Sequence, residues 1–530
     1  MNARLYDLSC RIVTYFMVAI LSVITLFSVV STVYVDPFDR VYYTGDTAVK
    51  HALCILTIIM LCSVLVRKPD FRISRWIPIA LIIVFSAAVL IFVIWADLPP
   101  RFDQRAVRSV AADLLYEIQD DFVPGGYGEI YPHNAGIILF DELIIRIAGY
   151  DNYLVIQFVN LACMILTMAA LYGIIKKLTG RINGAMLSFC FFLPYWLYAT
   201  FMYGTIPGFC CACWGIFFSL EFMEKERPQD AVAAGIFLAA AFRFKENFII
   251  LIIAVILLVL LTSVHEKKFR LLLFFIPLAV FYLLSGIGVN AGIRMQTGHD
   301  TGEGIPGISY MAMGLHEQEE RGAGWHDNFP EDTYEATGYD PYETARLSKE
   351  DIGKSVQNFA EHPAYAVGFF IRKTASLWDD PTYYSWTLQQ GRNDRSDEEF
   401  IVPGIGWAYG IMDIMQSALY FFSLAWFWMH RRDNDLLRLV FAIIFIGGFL
   451  CHTLWEAHSQ YTLLYAFGLC IYAAEGLREL GVWAGGLSRK KKAGTAALLL
   501  AAGLLLSIPS IASFLTLSRD NLRFAEYMGL

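Results

Sequence analysis

Runs of roughly twenty apolar residues recur along almost the whole chain, and this constrains the fold more than any other feature. A helix needs about 20 mostly apolar residues to cross a bilayer. Candidate runs lie near 12–35, 51–66, 76–95, 152–175, 183–203, 205–223, 231–243, 248–264, 271–289, 404–428, 436–453, 460–477 and 494–516. The spacing therefore predicts an all-α polytopic membrane protein with about thirteen spanning helices. The stretch 231–264 reads either as one long helix or as two short ones broken near 243–247. The first run is too long for a signal-peptide core and lacks a small-residue cleavage site, so it reads as an uncleaved span. With 57% hydrophobic and 17% charged residues in 530, a soluble globular or disordered chain is excluded.

The charge is unevenly placed. Residues 291–403 hold 20 acidic and 9 basic side chains, while the whole chain carries only −8. A mildly basic membrane body with one acidic polar segment follows, and a nucleic-acid partner is not expected. Lys/Arg clusters occur at 4–11, 67–75, 176–181, 225–227, 267–270, 431–438 and 489–492. Threading the runs in order puts every cluster on one side, which the positive-inside rule makes the cytoplasm. The segments 36–50, 96–151 and 291–403 and the tail from Ser518 then face outward, with the N-terminus cytoplasmic and the chain multi-pass in the plasma membrane. The organisation read from this is 1–75, two N-terminal spans; 76–290, a core with an outer loop at 96–151; 291–403, an acidic outer loop domain; and 404–530, C-terminal spans.

None of the ten cysteines falls in 291–403, so no disulfide framework is expected there. Cys210, Cys211 and Cys213 have no metal-ligand spacing and read as a buried helix face. In 96–151, Val107, Val110, Ala111, Leu114 and Ile118 repeat at helical spacing, with Arg105, Arg108, Asp113 and Glu117 opposite. Such a helix is too short to span and should lie in the membrane interface, with Asp103 at its start. A second amphipathic stretch runs from 135 to 147, with Asp141, Glu142 and Arg146 on its polar side. Polar groups collect at the outer ends of helices: Asp103, His133, Arg243, Lys245, Glu456, His458 and Tyr461. Ionisable groups at membrane depth are costly and point to function.

The order "RFDQRAVRSVAADLL", "YPHNAG", "FRFKEN" and "WEAHSQY" resembles the GT-C superfamily of membrane glycosyltransferases, in its protein-mannosyltransferase-like and aminoarabinose-transferase-like branch. The resemblance covers most of the chain from about residue 76, and the first two spans look like an addition. It implies transfer of a sugar from a polyprenyl-phosphate-linked donor to a hydroxyl on the extracytoplasmic face, with inversion, in modification of a cell-envelope glycan or glycoconjugate. The acceptor could be a glycan, a lipid or a protein. Asp103 matches the family's first-loop acid, the catalytic base; a helix cap is its bland alternative. Arg243 and Lys245 match a basic segment that would meet the donor phosphate, with snorkelling to the interface as the alternative. Tyr131, His133, Asn134, Glu456, His458 and Tyr461 are the substrate-binding candidates. Gln460 stands where the late motif has an Arg, and Asn134 departs from the family's His-Pro-Pro stretch. No cofactor is implied, and a divalent cation is left open. The rival readings are a lipid or sugar transporter or flippase, and a polysaccharide polymerase or ligase.

Overall fold

The protein is described by a computed structural model that covers residues 2–66, 73–116, 118, 120–180, 182–318, 321–389, 391–392, 399–400 and 406–515. Helix α1 (Asn2–Val30) leads into a hairpin of β1 (Ser31–Val35) and β2 (Val41–Gly45), paired antiparallel with Val33 opposite Tyr43. Then follow α2 (Ala48–Val66), α3 (Trp76–Ala96), α4 (Asp103–Leu115), α5 (Tyr127–Ile130), α6 (Ala135–Ala148) and α7 (Leu154–Leu178). The middle of the chain forms α8 (Ile182–Phe191), α9 (Leu193–Leu197), α10 (Thr205–Lys225), α11 (Pro228–Phe244), α12 (Ile249–Glu266) and α13 (Phe275–Thr297). The acidic segment supplies α14 (Gly307–Met313), α15 (Phe329–Ala336), α16 (Pro341–Glu361) and α17 (Pro363–Trp378). The chain ends in α18 (Gly406–Met429), α19 (Val440–Leu454), α20 (Leu463–Gly468), α21 (Cys470–Gly486) and α22 (Arg489–Leu515).

Among the described residues, 8 helical stretches are long and apolar enough to cross a membrane: those of α1, α2, α3, α7 and α10, and α12, α13 and α19 continued back through short 3-10 turns to Glu246, Phe269 and Leu437. A ninth is added if the pair Ile182–Phe191 and Leu193–Thr200, bent by 56°, counts as one span. That is fewer than the thirteen runs suggest, although each run falls largely on helix, the first giving way to β1 at Ser31. The 231–264 stretch resolves into two helices that break at Lys245, and α11 has only 17 residues. The basic residues Arg67, Lys68, Arg72 and Arg181, the acid Glu117 and the tail from Ser518 lie outside the described residues.

The amphipathic helices form as their periodicity requires, but their polar faces are not simply solvated. Arg108 of α4 is buried and donates through Nη1 to Asp141 of α6 at 2.7 Å, and through Nε to the Tyr150 carbonyl at 3.0 Å. The sequence pattern assigned both residues to outward polar sides; the fold turns these sides toward each other as an internal pair. Breaking one partner would strand a buried charge, so the pair fixes the register of α4 against α6.

The acidic segment is bound into the rest of the molecule. Asp340 caps α16 by accepting from the amides of Tyr342 and Glu343. Lys373 of α17 is buried and donates to the carbonyls of Gly314 at 2.5 Å and Trp455 at 2.7 Å. The amide of Ala457 donates to Gly324 at 2.7 Å, and that of Ile305 to Ile130 at 3.2 Å. The N-terminal hairpin docks on the same region, where Val33 N donates to the Asp379 carbonyl at 3.1 Å and Thr387 to Val35 at 2.7 Å.

Candidate active site

The loop after α3, the break between α11 and α12, and the turn after α19 meet under the acidic segment. Asp103 is the first residue of α4, following Phe102, whose φ of 48° turns the chain sharply. No side chain caps this helix, and no hydrogen bond reaches the Asp103 carboxylate from the described residues. A capping role is therefore not what its geometry expresses. The side chain is exposed, yet protein surrounds it at longer range, which is the condition of a group lining an open cleft.

Lys245 is placed by two close approaches of backbone. A Cβ on Gly136 would lie 2.1 Å from the Arg243 carbonyl, and one on Gly204 would lie 1.8 Å from that of Phe244. The starts of α6 and α10 thus clamp the end of α11 from two sides, and only glycine fits at either position. Lys245 Nζ donates to Thr205 Oγ1 at 3.1 Å and lies over the rings of Tyr203 at 5.4 Å and Tyr461 at 5.3 Å. Arg243 takes another direction: it donates to Ser285 Oγ at 3.0 Å and to the Tyr282 carbonyl at 3.2 Å, against α13. The two basic residues of "FRFKEN" are therefore separated, and Lys245 alone faces the cleft that holds Asp103.

The substrate-binding candidates converge on the same place. Asn134 Nδ2 donates to Tyr127 at 3.0 Å while its Oδ1 accepts from Tyr203 at 2.7 Å. Tyr131 donates to Glu331 Oε1 at 2.8 Å, and Tyr461 to Glu456 Oε2 at 3.0 Å. His133 packs edge-on against Tyr131. His458 lies between the rings of Trp325 and Tyr384, with centroids at 4.7 and 4.4 Å.

The electrostatics tie these groups together. Burial pushes the Asp103 carboxyl above its ordinary value; His326, Lys245 and His458 pull it back, and Asp39 pushes it further up. Burial drives Lys245 down to about 8, against the pull of Asp103 and Glu456. His133 falls to about 4 through burial and the nearby Lys245. Burial opposes charge on His326, but Glu331 and Glu456 outweigh it and raise the group to about 9. Glu456 is raised by burial, with His326, His458 and the Tyr461 bond acting the other way. Perturbed groups gathered in a cleft are a physical signature of a functional site.

Residues 136–287 match a model of the dolichyl-phosphate-mannose-protein mannosyltransferase family. That stretch runs from α6 into α13 and includes Arg243 and Lys245, while Asp103, Glu456 and His458 lie outside it. The match supports a membrane glycosyltransferase and agrees with the resemblance drawn from the ordered motifs. No curated protein matches the chain.

Several site residues left no signal in the sequence. Asp39 in the hairpin turn, Tyr310 of α14, His326 just before α15 and Glu331 within it all sit in segments read only as outer loops. Tyr310 stacks on Trp455 with centroids 5.9 Å apart. Among the described residues, one His/carboxylate group has metal-ligand spacing: Asp46, His51 and Asp413. Lys50 Nζ already bridges its carboxylates, 2.9 Å from Asp46 and 2.7 Å from Asp413. Asp103 belongs to no such group.

Proposed function

We propose that the chain transfers a sugar from a polyprenyl-phosphate-linked donor to an acceptor hydroxyl at the extracytoplasmic face of the plasma membrane, with inversion at the anomeric carbon. The observation that carries this reading is the pairing, in one cleft at the ends of apolar helices, of an unbonded carboxylate, Asp103, with an ammonium, Lys245. The acceptor hydroxyl must lose a proton as it attacks, and Asp103 is the group free to take it. Burial raises its proton affinity toward the working pH, which suits a base better than an ordinary aspartate. The departing lipid phosphate gains negative charge, and a half-desolvated ammonium meets it at little reorganisation cost. Tyr131, His133, Asn134, Glu456, His458 and Tyr461 shape the wall on which the sugar and acceptor would rest. His326 and Glu331 bring the acidic segment down over them.

Asp103 acts as catalytic base and Lys245 as phosphate partner in this account, while Arg243 anchors α11 to α13. The apolar spans supply the solvent for the lipid carrier, and the acceptor is a glycan, lipid or protein of the envelope. No step calls for a cofactor. The test is reconstitution of the purified chain in liposomes with an extract of envelope glycans, lipids and proteins as acceptors and with polyprenyl-phosphate mannose and other polyprenyl-phosphate sugars as donors. Donor-dependent release of polyprenyl phosphate is expected for one sugar in the series. A chain that instead moves intact lipid-linked sugar between leaflets, leaving the sugar–phosphate bond whole, would favour the flippase reading.

A further inference from the structure

A second cavity lies away from the candidate site, between α2, α8, α18 and α21. Its volume is about 870 Å³, within the range of sites that hold substantial ligands. Leu187, Phe191, Met412, Leu419, Phe422 and Ala473 are among the side chains that line it. It extends along residues 182–191 of α8 and 412–422 of α18, about ten residues each, hence about 15 Å deep. That is roughly half the ~30 Å hydrocarbon thickness of a bilayer, the depth of one leaflet. One end, at Val66, Ile73 and Gly180, is near the start of α3, and Asp103 follows the other end of that helix. This end of the cavity therefore lies on the side of the membrane opposite the candidate site. An apolar void at this depth excludes water and accepts hydrocarbon.

A smaller polar cavity of about 170 Å³ adjoins it, lined in part by His430, Arg438, Arg478, Glu475 and Glu479. The two cavities share Glu475 and Arg478. Among the described residues Arg478 Nε is buried without a hydrogen bond, Glu475 Oε2 lies 3.8 Å from it, too long for one, and Glu479 lies 3.4 Å from His430. An apolar slot one leaflet deep, joined to a polar chamber with arginines and glutamates, is the negative of an amphipathic molecule. Arginine suits a phosphate, and the glutamates suit an ammonium.

We propose that these joined cavities bind one zwitterionic aminophospholipid: its acyl chain in the apolar slot, its phosphate on Arg478, and its ammonium toward Glu475 and Glu479. The site is independent of the transfer reaction assigned above. Phosphatidylethanolamine is the probe, with phosphatidylglycerol as the anionic control that lacks the amine.

Native mass spectrometry of the full-length chain, delipidated in mild detergent and titrated with each lipid, tests this. One phosphatidylethanolamine adduct is expected, held more tightly than phosphatidylglycerol. Arg478→Gln should weaken it about tenfold or more, the scale of one charge-assisted hydrogen bond. Glu475→Gln should abolish the preference between the two lipids. Ala473→Leu, which fills the slot, should remove both adducts. Because a ligand that binds only the folded state raises its melting temperature, the lipid-induced rise should vanish in Ala473→Leu and Arg478→Gln, while their lipid-free melting temperatures stay near that of the parent. Retention of a polyprenyl phosphate instead, no one-to-one phospholipid adduct, or adducts unaffected by Arg478→Gln would each overturn the assignment.

Discussion

Nε2 of His458 lies 3.6 Å from Oδ1 of Asp39, joining the turn of the N-terminal hairpin to the segment after α19. Asp39 holds a left-handed backbone, with φ of 59°, and accepts from Tyr384 at 2.7 Å. Tyr384 in turn packs against the same histidine, so one carboxylate orients two rings. A non-glycine residue at positive φ costs energy that its surroundings must offset. The hairpin, which the sequence presents as an appendage, thereby reaches the wall of the candidate site.

Asp39→Asn should therefore lower turnover about tenfold while reducing stability by only about 1 kcal/mol, the scale of one hydrogen bond. In a double-mutant cycle with His458→Gln, the two changes should couple by about 0.5–3 kcal/mol. Additive losses would mean that His458 is held by Trp325 and Tyr384 without help from the hairpin.

The depressed proton affinity of Lys245 gives a pH signature. Its ammonium is present below about 8 and is lost as pH rises through that value. Donor use should be full near neutrality and fall on the alkaline side. Lys245→Arg keeps its charge across this range, so the alkaline limb should disappear even if the maximal rate is lower. Lys245→Ala should cost about 2–4 kcal/mol of transition-state stabilisation, read from kcat/KM. Arg243→Ala, which loses contacts to α13 rather than to the cleft, should instead lower stability and leave the pH profile intact.

Lys373 is a structural lysine, whose ammonium burial pushes down to about 7. Lys373→Met would leave the carbonyls of Gly314 and Trp455 buried without partners and should cost about 2–4 kcal/mol. Gly324 has φ of +76°, and a Cβ there would lie 2.7 Å from Cε of Lys373. Gly324→Ala should loosen the same joint and speed proteolysis in 291–403, as measured by limited digestion alongside the melting curve.

The sequence carried much of this architecture, for definite physical reasons. Apolar runs and amphipathic periodicity record burial directly, so α4 and α6 fall where Val107 to Leu114 and Phe140 to Ile147 place them. Lys245 and Asp103 were visible because a charge beside an apolar helix is costly and stands out. Asp39, His326 and Glu331 were not, since a carboxylate or imidazole in a polar loop looks the same whether it is solvated or turned inward. Only the docking of the acidic segment on 127–134 and 455–461 distinguishes them. The Arg108–Asp141 pair was hidden likewise: helical spacing gives a polar face but not what covers it. The separation of Arg243 from Lys245 depends on how α11 ends, in the clamp formed by Gly136 and Gly204.

Asp103→Asn is the most direct measurement of the central claim. The substitution keeps the size of the side chain, and the helix start makes no cap bond that it could lose. In the reconstituted assay with the polyprenyl-phosphate sugar that the parent chain uses, the rate should fall about 10²–10⁴-fold, the range for removal of a general base. The melting temperature should stay within a few degrees of the parent, since about 1 kcal/mol shifts it by only roughly that much. A folded Asp103→Asn chain that releases polyprenyl phosphate at the full rate would contradict the assignment of this carboxylate as the base.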